Sequence, residues 1–521
     1  MRAHVPLLAV AALACANPPR PAHDDATAAR AQEVGGPLGT VEFPVSCADE
    51  ARPSMERGLA LLHHMTYEAA ADAFDRAAGI DPECAMAYWG RAMTYIHPLW
   101  SDPPGADGFE HGKRLIAEAR ARGHRTPREE AFIDAAAAYY DAGRGAVERP
   151  NLLAFERGWA RAHRRFAEDV EAAAFYALAH LATADPGDKS FAHQRAAGAL
   201  MERVLASHPD HPAAHHYLIH AYDAPTLAAG GLATARHYGA VAPEVAHALH
   251  MPTHTFTRLG RWDESIAWNL RSAEAARAHP VGGRISLHYL HALDYLAYAY
   301  LQTGRDSLAE AVAETLAGLR GPFVAEIAVP YTLAAVPARL ALERRRWDQA
   351  ASLTPRAPAD FPWERFPATE ALTHFARALG AAHLGDLELA RRSIADLERL
   401  REEAGRTSDY WAEQIHIQIL ASQAWLQWAQ RDTAGALATM RRAADREGAT
   451  EKHAVTPGEL LPARELLGDL LLEAERPAEA RDEYERALQR SPGRLNSMRG
   501  AARAARLAAD ATERPARARG R

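Results

Sequence analysis

One pattern constrains this chain more than any other. A small residue, an aromatic and a second small residue recur at helical spacing from one end of the sequence to the other. Near the start the set is Gly58, Ala70, Phe74, Ala77 and Pro82; near the end it is Leu467-Gly468, Leu471, Ala480, Tyr484, Ala487 and Pro492. Between them the turn and second helix of the same unit return as Gly260-Arg261-Trp262-Asp263-Glu264-Ser265, as Gly304-Arg305 with Ala309, as Arg346-Trp347-Asp348-Gln349-Ala350, as Gly385-Asp386 with Ala390, and as Ala436 with Met440 and Ala443. A unit of two amphipathic helices cannot bury its apolar face alone, so successive units must stack. The small residues let the paired helices approach closely. No run of alternating apolar and polar residues interrupts the pattern, so strands are not expected.

These residues resemble the tetratricopeptide repeat (TPR) over most of residues 51–505, most weakly between 98 and 170. The resemblance implies an all-α fold, a TPR-type α-solenoid in which antiparallel helix pairs wind into a right-handed superhelix with a concave inner wall. A Pro-rich stretch at 354–367 is expected to separate an N-terminal array at 43–353 from a C-terminal array at 368–508. The segment 509–521 carries Arg514, Arg517, Arg519 and Arg521 and reads as a disordered basic tail.

The first residues read as a targeting segment. Met1-Arg2-Ala3-His4 is a short basic start, and Val5 to Ala14 is an apolar run too short to span a bilayer. It ends Ala12-Leu13-Ala14-Cys15, which resembles the lipobox of bacterial lipoproteins. Residues 1–15 are therefore expected to be a signal peptide with Cys15 as the lipidation site, a plain secretory signal being the alternative. Residues 16–42, rich in Pro, Ala, Asp and Gly, read as a flexible tether. The expected location is outside the cytosol, in the periplasm or cell envelope, with membrane contact only through the N-terminal anchor. Of the 3 cysteines, Cys47 and Cys84 remain. An oxidising compartment and their positions around the first repeat suggest a disulfide, with two free thiols as the alternative.

The unusual feature of the composition is its 26 histidines. In the TPR family, the second, fifth, ninth, twelfth and thirteenth places of each first helix face the concave groove. On that frame His247, His250 and His254 take the second, fifth and ninth places, and His216, His220 and Asp223 the fifth, ninth and twelfth. His291, Asp294 and Tyr298 take the second, fifth and ninth of the next unit, with His288 one turn earlier. His63 falls at a thirteenth place, and His97 lies one 34-residue TPR period further on. Residues three or four apart share a helical face, so each His pair can bind one ion through two imidazoles. Asp223 and Asp294 lie one turn beyond their pairs, as carboxylate ligands or as acceptors that orient an imidazole.

The expected cofactor is a divalent transition metal, Zn, Cu or Fe, with a dinuclear site within reach of six or more histidines. Any one of these residues is by itself an ordinary polar residue on a solvated wall; filling the groove places of three adjacent helices is what points to metal. The sequence His250-Met251-Pro252-Thr253-His254 has no Glu after its first His, so it is not the HExxH of zinc proteases. Pro252 must kink its helix or mark the true start. Met65, Met86, Met93 and Met251 could suggest copper, but at helical spacing they read as core. Tyr217, Tyr222, Tyr289 and Tyr295 likewise read as packing, and Trp100 with His97 as a closure at one end of the groove.

No nucleophile elbow, phosphate loop or kinase signature is present, and the formal charge of −7 argues against a nucleic-acid partner. The segments Gly58-Leu59-Ala60-Leu61-Leu62-His63, Cys84 to Gly90, His247 to His254 and His288-Tyr289-Leu290-His291 together resemble a group of exported bacterial TPR proteins with a His-bearing core, from about Phe43 to Arg305. That resemblance implies fold and location and carries no activity. The alternative to a metal site is a metal-free TPR scaffold that docks a peptide or protein partner in the groove.

Overall fold

The computed structural model describes residues 35–100, 103–123, 125–145, 147–280 and 283–519, with side chains through 511. The expected signal peptide, Cys15 and most of the expected tether lie outside the described residues. The chain folds as an all-α solenoid of the TPR type. Antiparallel helix pairs follow one another from Arg52–His63 with Tyr67–Ile80 to Ala463–Glu473 with Pro477–Arg490, and a single helix, Leu495–Arg519, closes the array. No strand is present among the described residues; the nearest approach is an isolated bridge between Ile285 and Phe323. Among the described residues no helix is long and apolar enough to cross a membrane.

The small–aromatic–small pattern is a contact between the helices of a pair. A Cβ placed on Gly58 would lie 2.7 Å from the Phe74 ring, and one on Gly468 would lie 2.8 Å from the Tyr484 ring. Carbon atoms do not approach so closely, so these glycines are required for the aromatic to seat. Phe74 and Tyr484 are both fully buried as a result.

Three features depart from the sequence expectations. The hydrophobic core divides between Met251 and Trp262, with one cluster running from Leu38 to Met251 and the other from Trp262 to Ala504. The Pro-rich stretch at 354–367 is no boundary, because the second cluster passes straight through it, with Phe361, Trp363 and Phe366 buried. Residues 509–519, within the expected disordered tail, continue the last helix. The end of the expected tether is packed too: Leu38 is buried, and the Thr40 amide donates to the Asp210 carbonyl at 3.0 Å.

The array also folds back on its own inner wall. Segment 450–462 leaves the helix Thr433–Ala449 and runs along the concave side before the next hairpin. Arg339, fully buried, donates to the carbonyls of Gly458 and Glu459. Arg494 is also fully buried and pairs with Glu465 at 2.7 Å and Glu343 at 2.8 Å. Trp262 donates its indole N–H to the Gly493 carbonyl at 3.1 Å. Burying charges in this way is tolerable only because each is paired and hydrogen-bonded. The inner wall of the middle repeats is therefore enclosed, where a bare superhelix would leave it open to solvent.

Candidate metal centre

The histidines of the middle repeats sit where the two hydrophobic clusters meet. His216 and His220 come from the helix Pro212–Ala221, His247 and His250 from Ala246–His250, His254 from Pro252–Arg258 and His291 from Leu287–Gln302. Pro252 splits its helix without turning it. Met251 keeps helical angles of −52° and −39°, and the His254 amide bonds three residues back to the Met251 carbonyl. Proline has no N–H to give, so the ladder tightens locally there. The break falls between His250 and His254, and both imidazoles still face one point.

Two groups of three imidazoles result: His216, His220 and His247, and His250, His254 and His291. In the first, the Nε2 atoms of His220 and His247 each lie 3.1 Å from Nε2 of His216. In the second, His250 Nε2 and His254 Nε2 are 3.1 Å apart, and the rings of His250 and His291 lie 4.2 Å apart. A tetrahedral ion bound at ~2.0–2.1 Å holds neighbouring imidazole nitrogens about 3.3–3.4 Å apart, so this spacing is that of shared ligation. The groups abut, with ring centres of His220 and His254 5.9 Å apart and those of His247 and His250 6.2 Å apart.

The opposite edge of several rings fixes the protons. His250 Nδ1 lies 2.8 Å from Asn269 Oδ1, and the Asn269 amide group donates to the Ser265 carbonyl at 2.9 Å. That second bond fixes the amide orientation, so Oδ1 accepts and His250 carries its proton on Nδ1. His254 Nδ1 donates to Asp223 Oδ2 at 2.9 Å, and His216 Nδ1 donates to the His63 carbonyl at 2.6 Å. The Nε2 atoms of His250 and His254 are therefore both lone pairs, facing each other at 3.1 Å. Two lone pairs at that distance repel unless a cation lies between them.

A proton is a poor candidate for that cation. Burial, and then the charge on neighbouring imidazoles, holds His216, His247, His250 and His291 well below the ordinary histidine range. The same causes bring His220 down to about 3. For His254 burial lowers the value and Asp223 opposes it, leaving the ring below its ordinary value. The imidazoles are thus held neutral, the state in which they ligate metal.

Asp223 belongs to neither triad, and both of its oxygens are engaged. One oxygen takes His254 and Lys452, each at 2.9 Å, and the other takes Arg258 at 2.7 Å. Burial pushes its carboxyl up, but Lys452, Arg258 and His254 outweigh that and hold it well below the usual carboxylate range. Lys452 belongs to the segment that folds back on the inner wall. The same segment receives the Tyr295 hydroxyl at the Thr456 carbonyl, 3.2 Å away. Trp100 covers the other side, with ring centres 5.6 Å from His247 and 5.8 Å from His291.

Five more of the expected site residues lie outside the two triads. His288 lies beside His247, ring centres 5.0 Å apart and tilted by 41°, but belongs to neither group. Asp294 is fully buried against Arg339 at 3.5 Å, and burial raises its carboxyl to about 6. Tyr298 is buried in the second hydrophobic cluster between Arg339 and Arg494 and belongs to neither triad. His97 stacks on Tyr67 at 3.9 Å and bonds the Thr94 carbonyl. His63 bonds Glu171 at 2.7 Å and Tyr217 at 3.0 Å through its ring and reaches the centre only through its carbonyl. Sequence reasoning missed Asn269, Lys452 and Arg258; only Asn269 carried a signal, as a polar residue on the buried face of a repeat's second helix.

Cys47 and Cys84 are joined by a disulfide, with sulfurs 2.01 Å apart.

Fold and site together define an all-α solenoid of helical hairpins that encloses two histidine triads. No protein-family model matches the sequence, and no curated protein matches it. Several solved structures are similar to it at low identity. The human IFIT1 dimer with PPP-AAAA is 13% identical, with 89% of this chain and 96% of that one covered and a TM-score of 0.40. The Cut9–Hcn1 hetero-tetramer of the APC/C is 11% identical, with 88% and 96% covered and a TM-score of 0.32. Yeast Tom70 is 10% identical, with 89% of each chain covered and a TM-score of 0.30.

Proposed function

We propose that this chain holds two transition-metal ions, one in each histidine triad, and uses the solenoid as the frame that aligns them. The observation that carries this reading is the facing pair of lone pairs on His250 and His254, with both Nδ1 protons tied down by Asn269 and Asp223. Outer partners that fix the tautomer and leave the inner nitrogen bare are the usual companions of ligating histidines. The test is metal analysis of untagged protein purified without chelator. Two ions per chain are expected, and His216→Ala with His220→Ala, or His250→Ala with His254→Ala, should each remove one while the helical circular-dichroism signal persists. Full stoichiometry in both variants would refute the assignment.

A second reading draws on a cavity of about 1550 Å³ lined by residues 98–224 and 327–454, which suits an extended peptide segment better than a small molecule alone. As a metal-free scaffold the chain would capture a partner equally well in the presence of chelator. Under either reading we take the protein to be exported and anchored through Cys15. The Cys47–Cys84 disulfide supports an oxidising compartment. Cys15→Ala should abolish fatty-acid labelling and release the chain from membranes; unchanged labelling would refute the anchor.

A further inference from the structure

The two triads bring no negative charge with them. Each is built from imidazoles only, with no carboxylate or thiolate among its members. The nearest carboxylate, Asp223, is already matched by Lys452 and Arg258. Two divalent ions would place four positive charges in a pocket whose ligands, His220 apart, are at most 2% exposed, beside two further cations. Burying uncompensated charge on that scale is strongly unfavourable. Two monovalent ions would place only two. Copper is the first-row metal that combines affinity for imidazole with a stable monovalent state. A cuprous ion is also content with three ligands, whereas zinc seeks a fourth.

The pocket is reachable from one side. The large cavity has His220 in its wall with Asp223 beside it, and the other five triad histidines are not among the residues that line it. A small molecule arriving there meets the first triad at its least buried ring, with the second triad 5.9 Å behind, from His220 to His254.

We infer that the triads hold a cuprous pair that binds one molecule of dioxygen between the two metals, an inference that rests on the two-metal reading above. Each copper gives up one electron, and dioxygen takes both. The O–O double bond becomes the single bond of peroxide, and a copper–oxygen bond forms at each metal. The step needs no outside reductant. It also leaves the net charge of the metals and their bound oxygen where it began, since two cupric ions and a peroxide dianion carry the same total as two cuprous ions. A buried, all-neutral ligand set favours a reaction with that property.

The test uses the full chain loaded without oxygen with two equivalents of Cu(I), then mixed with air-saturated buffer. Expected are uptake of one dioxygen per chain, a new near-ultraviolet charge-transfer band, and no paramagnetic resonance signal, because the two cupric spins couple. The variant carrying His250→Ala and His254→Ala should bind one copper and take up no dioxygen. Should that variant fail to fold, copper titration of the unaltered protein serves instead, since uptake must follow the doubly loaded fraction and not total copper. Two coppers bound without uptake, or an uncoupled cupric signal accounting for both, would overturn the inference and leave the two-metal reading standing. Zinc retained in place of copper would overturn it in the same way, and failure to bind any metal would overturn both.

Discussion

Replacing Asn269 by Leu separates a metal centre from an ordinary buried polar cluster. Asn269 is fully buried, and its Oδ1 accepts the His250 Nδ1 proton at 2.8 Å. With the acceptor gone, that proton can move to Nε2 and be donated to His254 Nε2, 3.1 Å away. The metal-free protein thus exchanges one hydrogen bond for another. Its stability should change by less than the ~0.5–1.5 kcal/mol of a net buried hydrogen bond. The metal-bound protein has no such escape, because Nε2 is committed to the ion. Loss of an outer partner of this kind weakens metal binding roughly 10–100-fold, or about 1.4–2.8 kcal/mol. Isothermal titration with Zn²⁺ or Cu²⁺ against a competing chelator should show one of two sites weakened by that factor and the other unchanged. Thermal melts of the metal-free variant should stay close to the parent. Equal weakening of both sites, or a large loss of metal-free stability with unaltered affinity, would refute the proton assignment on which the two-metal reading stands.

Acid should unfold the metal-free protein early. His64, His215 and His453 are brought down to about 4 by burial, against ~6.5 in an unfolded chain, so below pH 6.5 the unfolded state binds more protons than the folded one. Their stabilising effect is complete above ~6.5 and is lost at roughly 1.4 kcal/mol per group per pH unit on acidification toward 4. Melting temperatures from pH 8 to 5 should fall steeply, and bound metal should shift the fall to lower pH; a flat profile would contradict the burial of neutral imidazoles. Asp294→Asn should leave metal stoichiometry intact, because this carboxylate faces Arg339, while Arg339→Met should destabilise by ~3–5 kcal/mol by stranding a buried charge. Loss of an ion in Asp294→Asn would return that residue to the ligand set. Replacing both Cys47 and Cys84 by Ala opens a loop spanning 37 residues in sequence and should lower unfolding free energy by ~2–4 kcal/mol in denaturant titrations, with metal binding unchanged. No change in the denaturation midpoint would show that the bridge does not constrain the chain.

The sequence by itself determined the helical hairpin, because Gly58 with Phe74 and Gly468 with Tyr484 are local contacts whose spacing encodes the pairing. It also placed the six histidines of the two triads on consecutive first helices, since residues three or four apart must share a face. Only the tertiary structure decided which of the placed residues meet. His288 and Asp294 share the register of His291, yet one stops beside His247 and the other turns to Arg339, because the partner that captures each comes from another part of the chain. Nor could the sequence show that Lys452, some 230 residues from Asp223 along the chain, would bring a positive charge and a lid to the site. A periodic pattern specifies the wall of a solenoid. What fills the space inside it depends on how far the superhelix turns before its own later repeats return, and that curvature is summed over every stacked pair and written in none of them singly.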